Sequence, residues 1–139
     1  MKIVFDAHCD ILSKITKPEE LFANNKHWDA DRALSNGKFI QVLSLFGEGK
    51  DWHEIKGKME VQLATALLAE KSYPERIKII RRKDELSHCV NSFEPHKTGC
   101  IIEAEGAEVI GESLSELDRL YEAGLRILTL CWNYDNAVC

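Results

Sequence analysis

No stretch of this chain is apolar for long enough to cross a bilayer. Its first residues, Met1-Lys2-Ile3-Val4-Phe5-Asp6, meet a charge after a short apolar run, which leaves no signal-peptide core. The expectation is a cytoplasmic protein with no membrane partner. A basic surplus is missing too: 18 Lys and Arg stand against 23 Asp and Glu, the formal net charge is -5, and the densest basic cluster is Arg81-Arg82-Lys83. That excludes a nucleic-acid surface, which needs a positive patch, and leaves small-molecule or peptide chemistry as the field. The five cysteines, Cys9, Cys89, Cys100, Cys131 and Cys139, are odd in number and contain no C-x-x-C pair. A disulfide framework or cysteine zinc site is therefore not expected, and reduced, mostly buried thiols are. Repeats, linkers and low-complexity tracts are also absent. What remains is ordinary globular composition, 45% hydrophobic and 29% charged, in 139 residues sized for a single domain.

The apolar residues fall into runs of alternating character. Ile3-Val4-Phe5 closes in polar residues, and Phe39-Ile40-Gln41-Val42-Leu43-Ser44-Leu45-Phe46 is stopped by Gly47 and Gly49; both read as strands buried on two faces. Between them Pro18 opens a helical piece over Glu19 to Asn24, and Asp29 to Leu34 makes another before Asn36-Gly37 stops it. Trp52 to Ser72 sets Val61, Ala64 and Leu68 on one helical face with Leu63 and Leu67 beside them, and Tyr73-Pro74 ends the helix. Ile77-Lys78-Ile79-Ile80 alternates like a strand, Asp84 to Val90 has a short-helix pattern, and Gly99-Cys100-Ile101-Ile102-Glu103-Ala104 is strand-like again. Ser113 and Glu116 have capping-box spacing, Leu114, Leu117 and Tyr121 share a helical face, and Gly124-Leu125 suits a helix stop with its apolar contact. Leu125 to Leu130 then returns as a strand. About five strands alternating with helices imply a parallel sheet with helices packed outside it. Such a sheet is either open and doubly wound or a little over half of an eight-stranded barrel, and the pattern fits both.

Three groups of polar residues sit at the ends of these strands. In Asp6-Ala7-His8-Cys9-Asp10 the residues two apart would project together from the first strand, setting an imidazole beside carboxylates in a way that suits a divalent metal such as zinc. A surface turn in which Asp10 accepts a local hydrogen bond from the backbone is the plainer alternative. Glu103 and Glu105, in Glu103-Ala104-Glu105-Gly106-Ala107-Glu108, share strand parity, and carboxylates at a strand end are costly to bury unless a cation or hydrogen bonds compensate them. A solvated acidic loop is the alternative there. The third group, Thr129-Leu130-Cys131-Trp132-Asn133-Tyr134-Asp135-Asn136, either closes the core, as Trp132 would, or lines a pocket with Asn133 and Tyr134. Each group lies at the C-terminal end of a strand, where α/β barrels build active sites. His27, His53, His88 and His96 follow no convincing strand and are read as surface or core histidines.

Taken together these motifs resemble the renal (membrane) dipeptidase family. Asp6-Ala7-His8-Cys9-Asp10 resembles its D-x-H-x-D opening, Ala104-Glu105-Gly106-Ala107-Glu108 is similar to its E-G-G segment, and Leu125-Arg126-Ile127-Leu128-Thr129-Leu130-Cys131-Trp132-Asn133 resembles its L-R-x-L-T-L-T-W-N strand. The resemblance implies a partial (β/α)8 TIM-type barrel, roughly its first half, with parallel strands and outer helices. It also implies hydrolysis of dipeptides by a zinc-bound hydroxide, with two zinc ions in the complete domain. Carried over by position, His8 and Asp10 would bind one zinc and Glu105 would bridge both, while Trp132, Asn133 and Tyr134 would contact a small peptide substrate. Glu103 adds a second carboxylate that competes for the role given to Glu105. Ala107 replaces the family's second Gly, and Trp132 stands where secreted animal members carry a substrate-contacting His. The family's later histidines, late acidic residue and arginine have no counterpart in these residues. The expectation is therefore an N-terminal portion, inactive by itself, with open barrel edges that favour homo-oligomers. A non-catalytic metal-binding or assembly fragment is the rival reading. Another amidohydrolase-type barrel is disfavoured, because those usually show H-x-H and lack the E-G segment.

Overall fold

The computed structural model describes residues 2–35, 37–92, 94–133 and 135–139. Its strands are β1 (Ile3–Asp6), β2 (Lys38–Leu45), β3 (Ile77–Ile79), β4 (Thr98–Glu105) and β5 (Leu125–Thr129). Its helices are α1 (Ala30–Leu34), α2 (Trp52–Ser72), α3 (Lys83–Asn91) and α4 (Ser115–Ala123). Short 3-10 turns occupy Ile11–Ser13, Pro18–Leu21 and Ala107–Ile110. Every strand pairing is parallel, as connections through helices require. The order runs β1-β2-β4, and the far edge of β4 is shared: β3 lies beside Thr98–Cys100 and β5 beside Ile102–Glu105.

This sharing decides where the helices lie. Met59, Leu63, Ala66 and Ala69 of α2 pack into a core with Leu43 and Leu45 of β2 and with Cys100, Ile102 and Ala104 of β4. Alternation then sends Gly99, Ile101, Glu103 and Glu105 to the opposite face of β4. Gly99 meets Cys89 of α3 there, since a Cβ on Gly99 would lie 3.3 Å from the Cys89 Sγ, and Lys38 Nζ donates to the Val90 carbonyl at 2.7 Å. So α3 packs on the face that carries the carboxylates, at the far end from them. The right-handed crossover rule accounts for this. The chain reaches β3 by stepping past the position of β4 and then steps back to it, and a same-handed connection in the reverse direction crosses the other face.

Several local expectations change. In α2 the buried face is Ile55, Met59, Gln62, Leu63, Ala66 and Ala69, whereas Val61 and Leu68 stay 67% and 50% exposed and Ala64 faces solvent. The helix is apolar on more than one side, so small size and hydrogen bonding decide. Ala66 and Ala69 allow close approach to the sheet, and the Gln62 amide bonds both the N–H and the carbonyl of Phe46. In α4 no capping box forms. Leu114 at the cap position is already helical, the Ser113 hydroxyl turns to Ser115 Oγ, and Glu116 pairs with Lys56 and Arg119. The buried residue of α4 is Leu120, while Leu114 and Tyr121 are exposed. Gly124 does end the helix, at φ 125, where a side chain would be strained. β1 is an edge strand with Ile3 and Phe5 exposed, not a strand buried on both faces. The Asn36 of the expected Asn36-Gly37 stop lies outside the described residues.

The thiol expectation divides. Cys9 and Cys100 are buried and free and Cys89 is half-buried and free, but Cys131 and Cys139 form a disulfide. Counting cysteines could not show this, because the loop after β5 turns back on itself and brings together two residues eight apart. Among the described residues no helix is long and apolar enough to cross a membrane.

Candidate metal centre

β1 ends at Asp6, so the alternation that groups Asp6, His8 and Asp10 on one strand face does not apply beyond it. Asp6 instead turns its Oδ1 back to accept the His8 N–H at 3.2 Å. The segment after it stays beside β2, because the Ser44 N–H donates to the Cys9 carbonyl at 2.9 Å. Asp10 then opens the 3-10 turn Ile11–Ser13, whose Ile11 and Leu12 are buried in the core. This turn carries the Asp10 carboxylate back toward the His8 ring. Cys9, between the two, points inward at 6% exposure, and burial pushes its thiol up to about 11, which keeps it protonated.

On β4, Glu103 and Glu105 point to the same face, as their spacing predicts. They meet His8 from opposite sides of its ring. Glu103 Oε2 lies 3.0 Å from Nδ1, whereas Asp10 Oδ1 and Glu105 Oε2 lie 3.3 Å and 3.6 Å from Nε2. His8, Asp10 and Glu105 each offer one ligand atom, and these atoms lie within 4.8 Å of one another; among the described residues no other such group is found. Burial opposes a charge on His8, but the Glu103 hydrogen bond and the charges of Asp10, Glu103 and Glu105 outweigh it and raise its pKa. Glu105 is also raised, by burial first and then by Asp10 and Glu103, against the lowering influence of His8.

The donor set fits a divalent cation. If Nδ1 carries the ring proton and donates it in a hydrogen bond to Glu103, Nε2 presents a lone pair to two carboxylate oxygens, and no hydrogen bond can form among three acceptors. Asp10 Oδ1 is buried with no hydrogen-bond partner. Convergent lone pairs need a cation, either a second proton on the imidazole or a metal ion at the centre of the group. Imidazole nitrogen with carboxylate oxygen is a set that zinc accepts.

The backbone after Glu105 must turn sharply. Gly106 does so at φ 114, and a Cβ there would sit 2.1 Å from Glu108 Oε2, a buried oxygen that also lacks a hydrogen-bond partner. The chain then runs into the Ala107–Ile110 turn, which the Ala107 N–H ties to the Leu130 carbonyl at 3.3 Å. The loop after β5 stands beside this mouth. Trp132 is half-buried with its ring edge-on to Phe46 at 4.8 Å, joining the loops that follow β2 and β5. Asn133 is exposed, and Tyr134 lies outside the described residues. His27, His53, His88 and His96 are all exposed and stand apart from the cluster, although His27 Nε2 reaches Cys9 Sγ at 3.5 Å. Glu103 was legible as a competitor for the Glu105 role; its place on the opposite ring nitrogen was not. The spacing of two between the carboxylates is the signal that both reach one imidazole.

Comparison with known proteins adds three findings. The family model of the membrane dipeptidases, peptidase family M19, matches residues 1–139. Solved structures give the same fold. The dipeptidase AC, a metallopeptidase of family M19, superposes with a TM-score of 0.77 at 22% identity over 93% of this chain and 42% of its own. A metallopeptidase of Rhodobacter sphaeroides, solved with a phosphinate mimic of the dipeptide L-Ala-D-Ala, gives 0.80 at 20% identity over 95% and 46%. The probable dipeptidase PvdM of Pseudomonas aeruginosa gives 0.77 at 17% over 96% and 36%. This chain thus spans less than half the length of each. No curated protein matches it.

Proposed function

The chain belongs to the membrane dipeptidase family of metal-dependent peptidases, its parallel sheet being part of a TIM-type barrel, and on that premise we propose that its strand-end cluster is part of a dipeptide-hydrolysing zinc centre. The observation that supports this is the convergence of His8 Nε2, Asp10 Oδ1 and Glu105 Oε2 at the C-terminal ends of β1 and β4. His8 and Asp10 would hold a zinc ion together with Glu105, the last residue of β4. A bound zinc supplies Lewis acidity toward water and the scissile carbonyl. The protein's part is to keep three lone pairs aimed at one point. It does so from a strand end, a 3-10 turn and a second strand, all anchored in the core. Trp132 and Asn133, on the loop beside the mouth, are the residues proposed to contact the peptide. The half-buried Trp132 offers an apolar wall and Asn133 an amide.

These residues by themselves are proposed to bind metal without turnover. One group of three ligands can hold one ion, but a metal pair needs further side chains and an oxyanion needs a placed donor. Calorimetric titration with zinc should show binding that His8→Ala abolishes. Dipeptide hydrolysis by the purified chain in excess zinc should not exceed that of the same variant. Zinc binding indifferent to His8 would overturn the metal centre. Zinc-dependent turnover that His8→Ala removes would overturn only the claim of inactivity, and would suit a site completed by a second copy through the free edge of β1.

A further inference from the structure

Glu103 is 8% exposed, on the same face of β4 as Glu105, and its oxygen lies on Nδ1 of His8 rather than on Nε2. The two ring nitrogens face different ways, so the Glu103 carboxylate sits on the other nitrogen from the one that Asp10 and Glu105 approach. An exposed imidazole in water favours a proton on Nε2, the tautomer that cannot bind a cation there. A buried acceptor fixed on Nδ1 reverses that preference and holds the ring plane at the same time. We propose that Glu103 is a positioning residue: by accepting a hydrogen bond from Nδ1–H it locks His8 in the tautomer and orientation that present the Nε2 lone pair to the Asp10 and Glu105 carboxylates. His8 needs such help because 40% of its side chain is exposed and no other side chain hydrogen-bonds Nδ1 among the described residues.

The inference deepens the metal-centre reading and rests on it, but its first test uses no metal. In the metal-free, 15N-histidine-labelled chain at mildly alkaline pH, long-range proton–nitrogen spectra report which His8 nitrogen carries the proton. The wild type and Glu103→Gln, whose amide oxygen still accepts, should both show Nδ1–H; Glu103→Leu should shift His8 to Nε2–H. Zinc titration then gives the second reading. Glu103→Leu should weaken zinc by about 10- to 100-fold, the usual cost of losing such a partner, and Glu103→Gln should recover most of that loss. An unchanged tautomer in Glu103→Leu would overturn the proposal. So would equal loss of zinc in Glu103→Gln and Glu103→Leu, which would make Glu103 a ligand or a source of charge. Should Glu103→Leu fail to fold, Glu103→Asp withdraws the acceptor by one methylene and should move the tautomer the same way. If wild-type chain takes up zinc no better than His8→Ala, the metal centre fails while the tautomer result still decides what Glu103 does.

Discussion

Glu70 and Glu105 have nearly the same side-chain exposure, 19% and 20%, and live in opposite electrostatic worlds. Glu70, at the end of α2, accepts the Ile79 N–H at 2.8 Å and a bidentate pair from Arg81 at 3.0 and 2.7 Å, with Lys78 at 3.7 Å. Burial works to raise its pKa, but these donors hold the carboxyl below the usual carboxylate range. Beside it Glu85 takes Lys78 and the N–H groups of Arg81 and Arg82, with the same result. Among the described residues Glu105 has only the His8 ring, at 3.6 Å, and shares it with Asp10 and Glu103. The acids around β3 are compensated by the chain's own bases, whereas among the described residues the acids at the mouth outnumber the one base beside them. The contrast separates carboxylates compensated within the fold from carboxylates that share a single imidazole among the described residues.

Four experiments sharpen or break that contrast. Zinc at a hundred times its dissociation constant should stabilise the wild type by about 2.7 kcal/mol, seen as a higher melting temperature, and leave His8→Ala and Glu105→Gln unmoved. Equal stabilisation of all three would put the zinc elsewhere. Glu70→Leu should cost about 2 kcal/mol in urea unfolding, because it strips a half-buried guanidinium of its partner; a cost below about 0.5 kcal/mol would place Glu70 with ordinary surface ion pairs. A milder change adds pH. The folded-state value of Glu70 lies below its unfolded one, so its contribution is present above the ordinary carboxylate range and is lost as pH falls through the lowered value. Glu70→Gln should therefore lag the wild type by about 1 kcal/mol at neutral pH, and the gap should close below roughly pH 4. A gap independent of pH would mean that packing, not charge, is lost. Smallest of all, Glu105→Gln should stabilise the metal-free chain by about 0.5 kcal/mol, since it removes one of three crowded carboxylates. A loss in its place would show that Glu105 already has its compensation in the fold.

Much of this was readable from residue order alone. Apolar runs and their stops located the strands and the long helix to within a residue or two, because Pro74, Gly124 and the Gly47/Gly49 pair act locally. Which face each helix buries was less readable. α2 is apolar on two sides, and Gln62 anchors the face that wins through a backbone 16 residues away. The reversal that sends α3 to the other side of the sheet depends on β3 and β5 sharing one edge of β4, a pairing with no local signature. At the site, order and strand ends point to His8, Asp10 and Glu105, but strand alternation does not account for where Asp10 lies. A turn anchored by Ile11 and Leu12, and not strand alternation, brings its carboxylate round. The disulfide of Cys131 and Cys139 was missed because cysteine counting says nothing of how a loop folds back.

Gly106 bears on how a mutational map of this chain should be read. Any other residue there would have to adopt a strained backbone angle and displace the buried Glu108 carboxylate at once. In a saturation scan scored on metal uptake, position 106 should therefore rank with His8 and Glu105 in intolerance although it carries no chemical group. A map read as a map of chemistry would count position 106 with the proposed ligands, where the protein has a sharp turn of bare backbone. Scoring the same library on folding separates the two: His8 and Glu105 variants should pass that screen, and those at 106 should not.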